Sequence, residues 1–115
     1  MATRGRRPGD GRRRGEPVPR LSKTEQLILE LLAEQPDLYG LQLVQHSEGA
    51  LKRGTVYVTL QRMEDKGLVA SRLEQRSDPL PGLPRRLYAP TRSGLALLRA
   101  LELAAAAYLA TDANP

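Results

Sequence analysis

The stretch Lys52-Arg53-Gly54-Thr55-Val56-Tyr57-Val58-Thr59-Leu60-Gln61-Arg62-Met63-Glu64-Asp65-Lys66-Gly67-Leu68-Val69 decides how this 115-residue chain is organised. Val56, Leu60 and Met63 recur at the i, i+4, i+7 spacing of a buried helical face, and Gly67 supplies an exit. With those three inward, Arg53, Thr55, Val58, Thr59, Arg62 and Lys66 fall on or beside the outer face. Tyr57 and Gln61 lie one residue beyond the core stripe, placed either to face outward or to pack sideways. A helix over residues 54–66 is about 20 Å long, which fits the major groove of duplex DNA. Lys52 and Arg53 stand at its start, where the positive end of the helix dipole makes cations unfavourable by a few tenths of about 1 kcal/mol. An anion reverses that sign, so free amides plus two cations read as a phosphate site; the alternative is a solvated loop with long side chains.

Upstream, Ser22-Lys-Thr-Glu25 is a capping-box pattern that opens a first helix. Leu27, Ile28, Leu31 and Leu32 follow at helical spacing, and Pro36 stops it. Asp37 is the expected cap of a second helix over residues 38–48, with Leu38, Tyr39, Leu43 and Val44 on its apolar side and Gly49 as its exit. Downstream the period changes. Residues 68–74 read as a strand, residues 76–84 as a loop with three prolines and Gly82, and residues 85–89 as a returning strand ended by Pro90. Thr91 caps a last helix over residues 92–110, rich in Leu and Ala. The fold class is therefore mainly α with a small β-hairpin: a winged helix-turn-helix of three helices, a two-stranded wing and a C-terminal dimerisation helix.

Four blocks carry a family resemblance. They are Leu38-Tyr39-Gly40, Gly54-Thr55-Val56-Tyr57, Arg62-Met63-Glu64-Asp65-Lys66-Gly67-Leu68-Val69, and Arg85-Arg86-Leu87-Tyr88-Ala89-Pro90-Thr91-Arg92-Ser93-Gly94. In this order and spacing, over residues 21–101, the chain resembles the PadR family of bacterial transcriptional regulators. The resemblance implies a homodimer, a recognition helix in the major groove, a wing on the flanking backbone, and repression. Lys52 stands where the family commonly has a serine able to cap the helix. On the residues and the resemblance together, the expected DNA-binding set is Lys52, Arg53, Thr55, Tyr57, Thr59, Arg62, Lys66, Arg85 and Arg86. In a strand Arg85 and Arg86 point to opposite faces, so at most one is expected to reach a phosphate. The loop 77–82 holds Asp78 and no base, which argues against deep insertion of the wing tip.

The net charge of +5 is less informative than its distribution. Residues 1–20 carry seven arginines against Asp10 and Glu16, and the other 95 residues are neutral overall, with a basic stretch over residues 50–92 behind an acidic one. Residues 1–20 are nearly all Arg, Gly and Pro and read as a disordered arm, either neutralising phosphates or serving only solubility. Residues 21–91 then form the winged helix, 92–110 the dimerisation helix and 111–115 a disordered tail.

Leu97, Leu98, Leu101, Ala104, Ala105 and Tyr108 spread over a wide face of the last helix, more apolar surface than so small a domain needs. Burial against a second copy is the expectation, and packing on the first helix the alternative. Two copies would set their reading helices about 34 Å apart, on a palindromic site.

With no cysteine and a single histidine, His46, neither a disulfide nor a histidine metal site within one chain is available, and no cofactor or hydrolytic triad is expected. The arginine-rich start lacks the apolar run of a secretory signal, and the apolar stretch 103–110 is too short to span a bilayer, so a cytoplasmic, membrane-free protein is expected. Tyr39 and Tyr88 read as core or core-edge residues. Four tyrosines without Phe or Trp give few platforms for single strands or RNA.

The leading function is a sequence-specific duplex-DNA-binding repressor, not an enzyme. A winged helix used as a protein-interaction module (an anti-repressor or scaffold subunit) and a nonspecific nucleic-acid binder led by the basic tail are the alternatives. A small-molecule effector, the operator and the regulated gene are not encoded in any feature of the sequence.

Overall fold

In a computed structural model, residues 20–75 and 84–113 are described. Their elements are α1 (Lys23–Glu34), α2 (Gly40–His46), α3 (Arg53–Asp65), β1 (Val69–Leu73), β2 (Arg86–Pro90) and α4 (Arg92–Ala113). This is the helix, helix, helix, hairpin, helix order expected of a winged helix. The expected N-terminal arm (1–20) except Arg20, the wing loop (76–84) except Pro84, and residues 114–115 of the expected tail lie outside the described residues, whereas residues 111–113, expected in that disordered tail, continue α4.

α1 starts as its sequence dictates. Ser22 Oγ accepts from the Glu25 amide at 3.1 Å, and Glu25 Oε1 accepts from the Ser22 amide at 2.9 Å. Ile28, Leu29 and Leu32 are fully buried, with Leu27 and Leu31 packed at the edge. Leu29 is thus a core residue that the spacing argument passed over. Val56, Leu60 and Met63 of α3, Leu43 of α2, Leu51, and Leu68 and Val69 at the hairpin complete the centre.

The entry to α2 differs from expectation. Asp37 does not cap a helix; it adopts a left-handed φ of 66°, which a short polar side chain tolerates. Leu38 is not helical but bridges Tyr88 of β2, accepting from its amide at 2.8 Å and donating to its carbonyl at 3.3 Å. The helix starts only at Gly40, where Gln42 Oε1 accepts from the Tyr39 amide at 3.1 Å. Leu38 is apolar and buried in either conformation, so its apolar pattern alone does not distinguish them. α2 also ends early, at His46, because the Ser47 hydroxyl caps back to the Val44 carbonyl at 2.7 Å and Glu48 and Gly49 both turn to positive φ.

α3 closes on a paired motif. Gly67, at φ 77°, donates to the Glu64 carbonyl, and the Leu68 amide to the Met63 carbonyl at 2.9 Å, so the last turn is satisfied and the chain passes into β1. β1 and β2 pair antiparallel with Val69 opposite Pro90 and Ser71 opposite Tyr88. Pro90 is the last residue of β2 instead of lying beyond it. Tyr88 is buried on the helix-facing side; burial, with Glu64 nearby, pushes its phenol up, so it is neutral at ordinary pH.

Thr91 caps α4: its hydroxyl accepts from the Gly94 amide at 3.0 Å and donates to the Gly67 carbonyl at 2.6 Å, while its own amide donates to the Leu68 carbonyl at 3.0 Å. Gly94 lies directly on Leu68, where a Cβ would run into the Leu68 backbone carbonyl. α4 therefore packs onto the end of α3 as closely as backbone allows. By length and composition this helix could cross a membrane, unlike the stretch 103–110 taken alone. Its first half, however, is committed to the core through Leu97 and Leu98, each 5% exposed.

One ion pair ties the ends of two helices together. Lys66, the C-cap of α3, places its Nζ 3.0 Å from Glu25 Oε2 and 3.5 Å from the Arg20 carbonyl. Glu25 is 3% exposed. Burial raises its pKa, but the Ser22 amide, the Lys66 ammonium and the Ser22 hydroxyl together outweigh that and hold the carboxyl below its usual value.

Two outcomes follow for stability. Gly94→Ala lowers it by about 1–3 kcal/mol in denaturant melts, although alanine is the better helix former, because backbone must move to admit the methyl. A depressed folded-state pKa gives Glu25 a stabilising contribution that is complete above about pH 4.3, the unfolded glutamate value, and is lost as the pH falls through the lower folded value. Melts across pH 2–6 of Glu25→Gln, set beside the parent, therefore show a shallower loss at acid pH, from a lower starting stability, at about those pH values.

Candidate nucleic-acid interface

The helix expected to read DNA is α3, and its burial pattern sorts the expected residues. Arg53, Thr55, Tyr57, Val58, Gln61 and Arg62 are exposed. Tyr57 is 54% and Val58 59% exposed, large values for apolar side chains. Tyr57, Val58, Gln61, Arg62 and Asp65 line one shallow open concavity along the helix.

Two expected members do not stand on that face. Thr59 is buried, only 9% exposed, and its hydroxyl donates to the Thr55 carbonyl at 3.0 Å. It sits one residue before Leu60, and the buried arc is wide enough to take it in. Lys66 is held by Glu25 and the Arg20 carbonyl at the far end of α3, so its charge already has a partner within the chain. The spacing rule placed Lys66 on a face; it held no information about what α1 sets beside it.

The helix start bears out the absence of a side-chain cap. Lys52 occupies the N-cap position with extended backbone (φ −105°, ψ 140°) and makes no side-chain cap hydrogen bond. Thr55 Oγ1 turns toward the Lys52 carbonyl at 3.5 Å, a long contact that satisfies no amide of the first turn. Lys52 and Arg53 are both exposed, beside the positive end of the helix.

Tyr57 both packs and projects. Gly40, the first residue of α2, lies against its ring; a Cβ there would collide with Cε1 and Cζ. The absence of a side chain at residue 40 lets the ring lie across the α2 start, fixing its direction while half its surface stays open. The block Leu38-Tyr39-Gly40 and the block containing Tyr57 are therefore two sides of one contact.

The wing arginines do lie on opposite sides of the hairpin, and both have partners within the chain. Arg86 Nη1 donates to Ser71 Oγ at 3.1 Å, and Ser71 Oγ donates to the Glu64 carboxylate at 2.9 Å. Arg85 Nη1 is 3.8 Å from Glu74 Oε2, and its guanidinium lies 4.6 Å over the Tyr39 ring. Each stays partly open to solvent. Arg72, which the sequence argument did not single out, is 3.4 Å from Asp37, an exposed pair that contributes at most about 1 kcal/mol.

The expected dimerisation residues also divide. Leu97 and Leu98 are buried inside their own domain against α1 and the hairpin, and Leu101 is packed at its edge. They are core because α4 begins so close to Leu68 that one face of its first turns is pressed onto the domain, while Leu95 on the other side is 43% exposed. Ala104, Ala105 and Tyr108 are exposed, as are Leu103 and Leu109.

Comparison with known proteins agrees with this fold. No curated protein shows a significant match to the chain. Among solved structures, it is similar to a PadR-like transcription factor from Bacteroides fragilis, at 26% identity and a TM-score of 0.66 over 76% of this chain and 84% of the other. A PadR family transcription regulator from Clostridium difficile R20291 is 30% identical, with a TM-score of 0.58 over 68% and 81% of the two chains. A PadR-like transcriptional regulator from Bacillus cereus is 25% identical, with a TM-score of 0.59 over 79% and 88%. The profile of the transcriptional regulator PadR-like family matches residues 28–100, from the core of α1 into α4. With its blocks in order, its winged helix and a family match over most of its length, the chain belongs to the PadR-like family of DNA-binding transcriptional regulators.

Proposed function

We propose that the protein is a repressor that occupies a palindromic operator as a homodimer. It acts in the cytoplasm by binding and not by catalysis. The observation that carries this reading is the outer face of α3: Arg53, Thr55, Tyr57, Val58 and Arg62 are uncovered, next to a helix start with two cations and no side-chain cap. A helix of 13 residues is about 20 Å long and enters a major groove without distortion. Lys52 and Arg53 bind a phosphate at its N-terminus, and Thr55, Tyr57 and Arg62 face the base edges and the backbone beside them. Arg85 and Arg86, held at the hairpin, supply weaker flanking charge. Thr59 and Lys66 support the helix from behind.

The second copy packs on the far half of α4. Leu103, Tyr108 and Leu109 are 56%, 72% and 63% exposed, on a helix that continues past the domain core. Ala104 and Ala105 between them allow close approach of a like helix. Arg99 and Glu102 lie in the middle of the same apolar run, where a bilayer would have to take up both charges; a protein partner leaves them in water. Two copies joined here present two reading helices to one face of a duplex, which favours a palindrome.

In fluorescence anisotropy with duplexes from its own upstream region, binding is tight at 50 mM salt and falls by at least about tenfold by 200 mM. Arg53→Ala or Arg62→Ala weakens it by about 1–3 kcal/mol with little change in stability. Equal affinity for scrambled duplex at every salt concentration would remove the specific reading. Unchanged binding and repression in the double variant would favour a protein-interaction module. In sedimentation, the parent runs as a dimer and Leu103→Glu/Tyr108→Glu as a folded monomer; a monomeric parent would contradict the dimer.

A further inference from the structure

Val58 is an apolar side chain on the exposed face of α3. It is 59% exposed, and it is β-branched, so alanine or lysine would favour the helix more. Its neighbour Tyr57 lies sideways against Gly40, whereas Val58 stands open on the outer face beside it. Arg62 is one turn further on, exposed, and lines the same concavity. An apolar side chain between an aromatic ring and a guanidinium is a surface that gains by losing water.

We propose that Val58 reads the 5-methyl group of a thymine in the major groove, with Arg62 taking the paired acceptors of a guanine one or two base pairs away. This rests on α3 being the DNA-reading helix. The thymine methyl is the apolar group that a base edge presents in the major groove, and a guanine presents N7 and O6 to an arginine fork. Residues four apart on a helix are separated by about 6 Å along its axis, and stacked base pairs by about 3.4 Å, which sets the spacing. Cytosine at the same place carries only a hydrogen at C5, and has an amino donor where thymine has O4, so it offers Val58 no methyl to contact. The Tyr57 ring, fixed across Gly40, walls one side of the contact and keeps water from it.

The test begins with selection of binding sites from random duplexes by the full chain. In the selected site each thymine is then replaced in turn by deoxyuridine, which keeps every hydrogen-bonding group and removes the methyl. The selected half-site contains a thymine one or two pairs from a guanine, and loss of that methyl weakens binding about fourfold, the effect of one apolar carbon leaving a contact. Val58→Ala, with its helix content checked by circular dichroism, binds the thymine and uracil duplexes equally. A fourfold preference that persists in Val58→Ala, or no preference in the parent, overturns the thymine contact while leaving DNA reading by α3 intact. If no duplex is enriched at all, the DNA-reading assignment fails, and the thymine contact with it.

Discussion

The carbonyls of Gly67 and Leu68 are where three parts of the chain meet. Gly67 ends α3 in a left-handed turn, Leu68 starts the path into β1, and both carbonyls are taken by Thr91 at the start of α4. Gly94 then brings the α4 backbone onto Leu68 with no side chain between. A short backbone cluster thus fixes the end of α3, the start of the hairpin and the course of α4 at once. The presentation of the reading face depends on it, because this junction sets the direction of α3 relative to the hairpin and α4.

From that junction the helix is braced at three further points. Glu25 and Lys66 join the first turn of α1 to the last of α3, in surroundings dry enough that an unpaired partner would be costly. Near the other end, the Tyr57 ring lies on Gly40 at the start of α2. The network Arg86–Ser71–Glu64 ties the flank of α3 to the hairpin. Groups that spacing alone would assign to a ligand are thus spent on holding the helix. The face left over is smaller than the sequence suggested, and more apolar, with Tyr57 and Val58 at its centre.

α4 divides in the same manner. One face of its first half is buried where Gly94 forces contact, through Leu97 and Leu98, and its second half runs beyond the domain with its leucines and Tyr108 in solvent. A uniform Leu/Ala composition hides that division. Leu95, Leu97 and Leu103 are equally apolar in sequence, and the helix face together with the distance from the junction separates core from surface.

What the sequence determined by itself is the local grammar: the Ser22–Glu25 capping box, the Val56–Leu60–Met63 stripe, the glycine exit at 67, the period change into a hairpin and the Thr91 cap. Those are interactions within three or four residues or periodicities of a single element, so the residues that make them are adjacent in the text. The family blocks were legible for the same reason. The partners were decided by tertiary structure: Leu38 bridging Tyr88 instead of entering a helix, Thr59 inside the buried arc, Lys66 on Glu25 at a separation of 41 residues, Arg86 on Ser71, and Leu97 and Leu98 inside the domain. Each depends on which distant backbone comes alongside, and a side chain's own type and spacing carry no record of that neighbour.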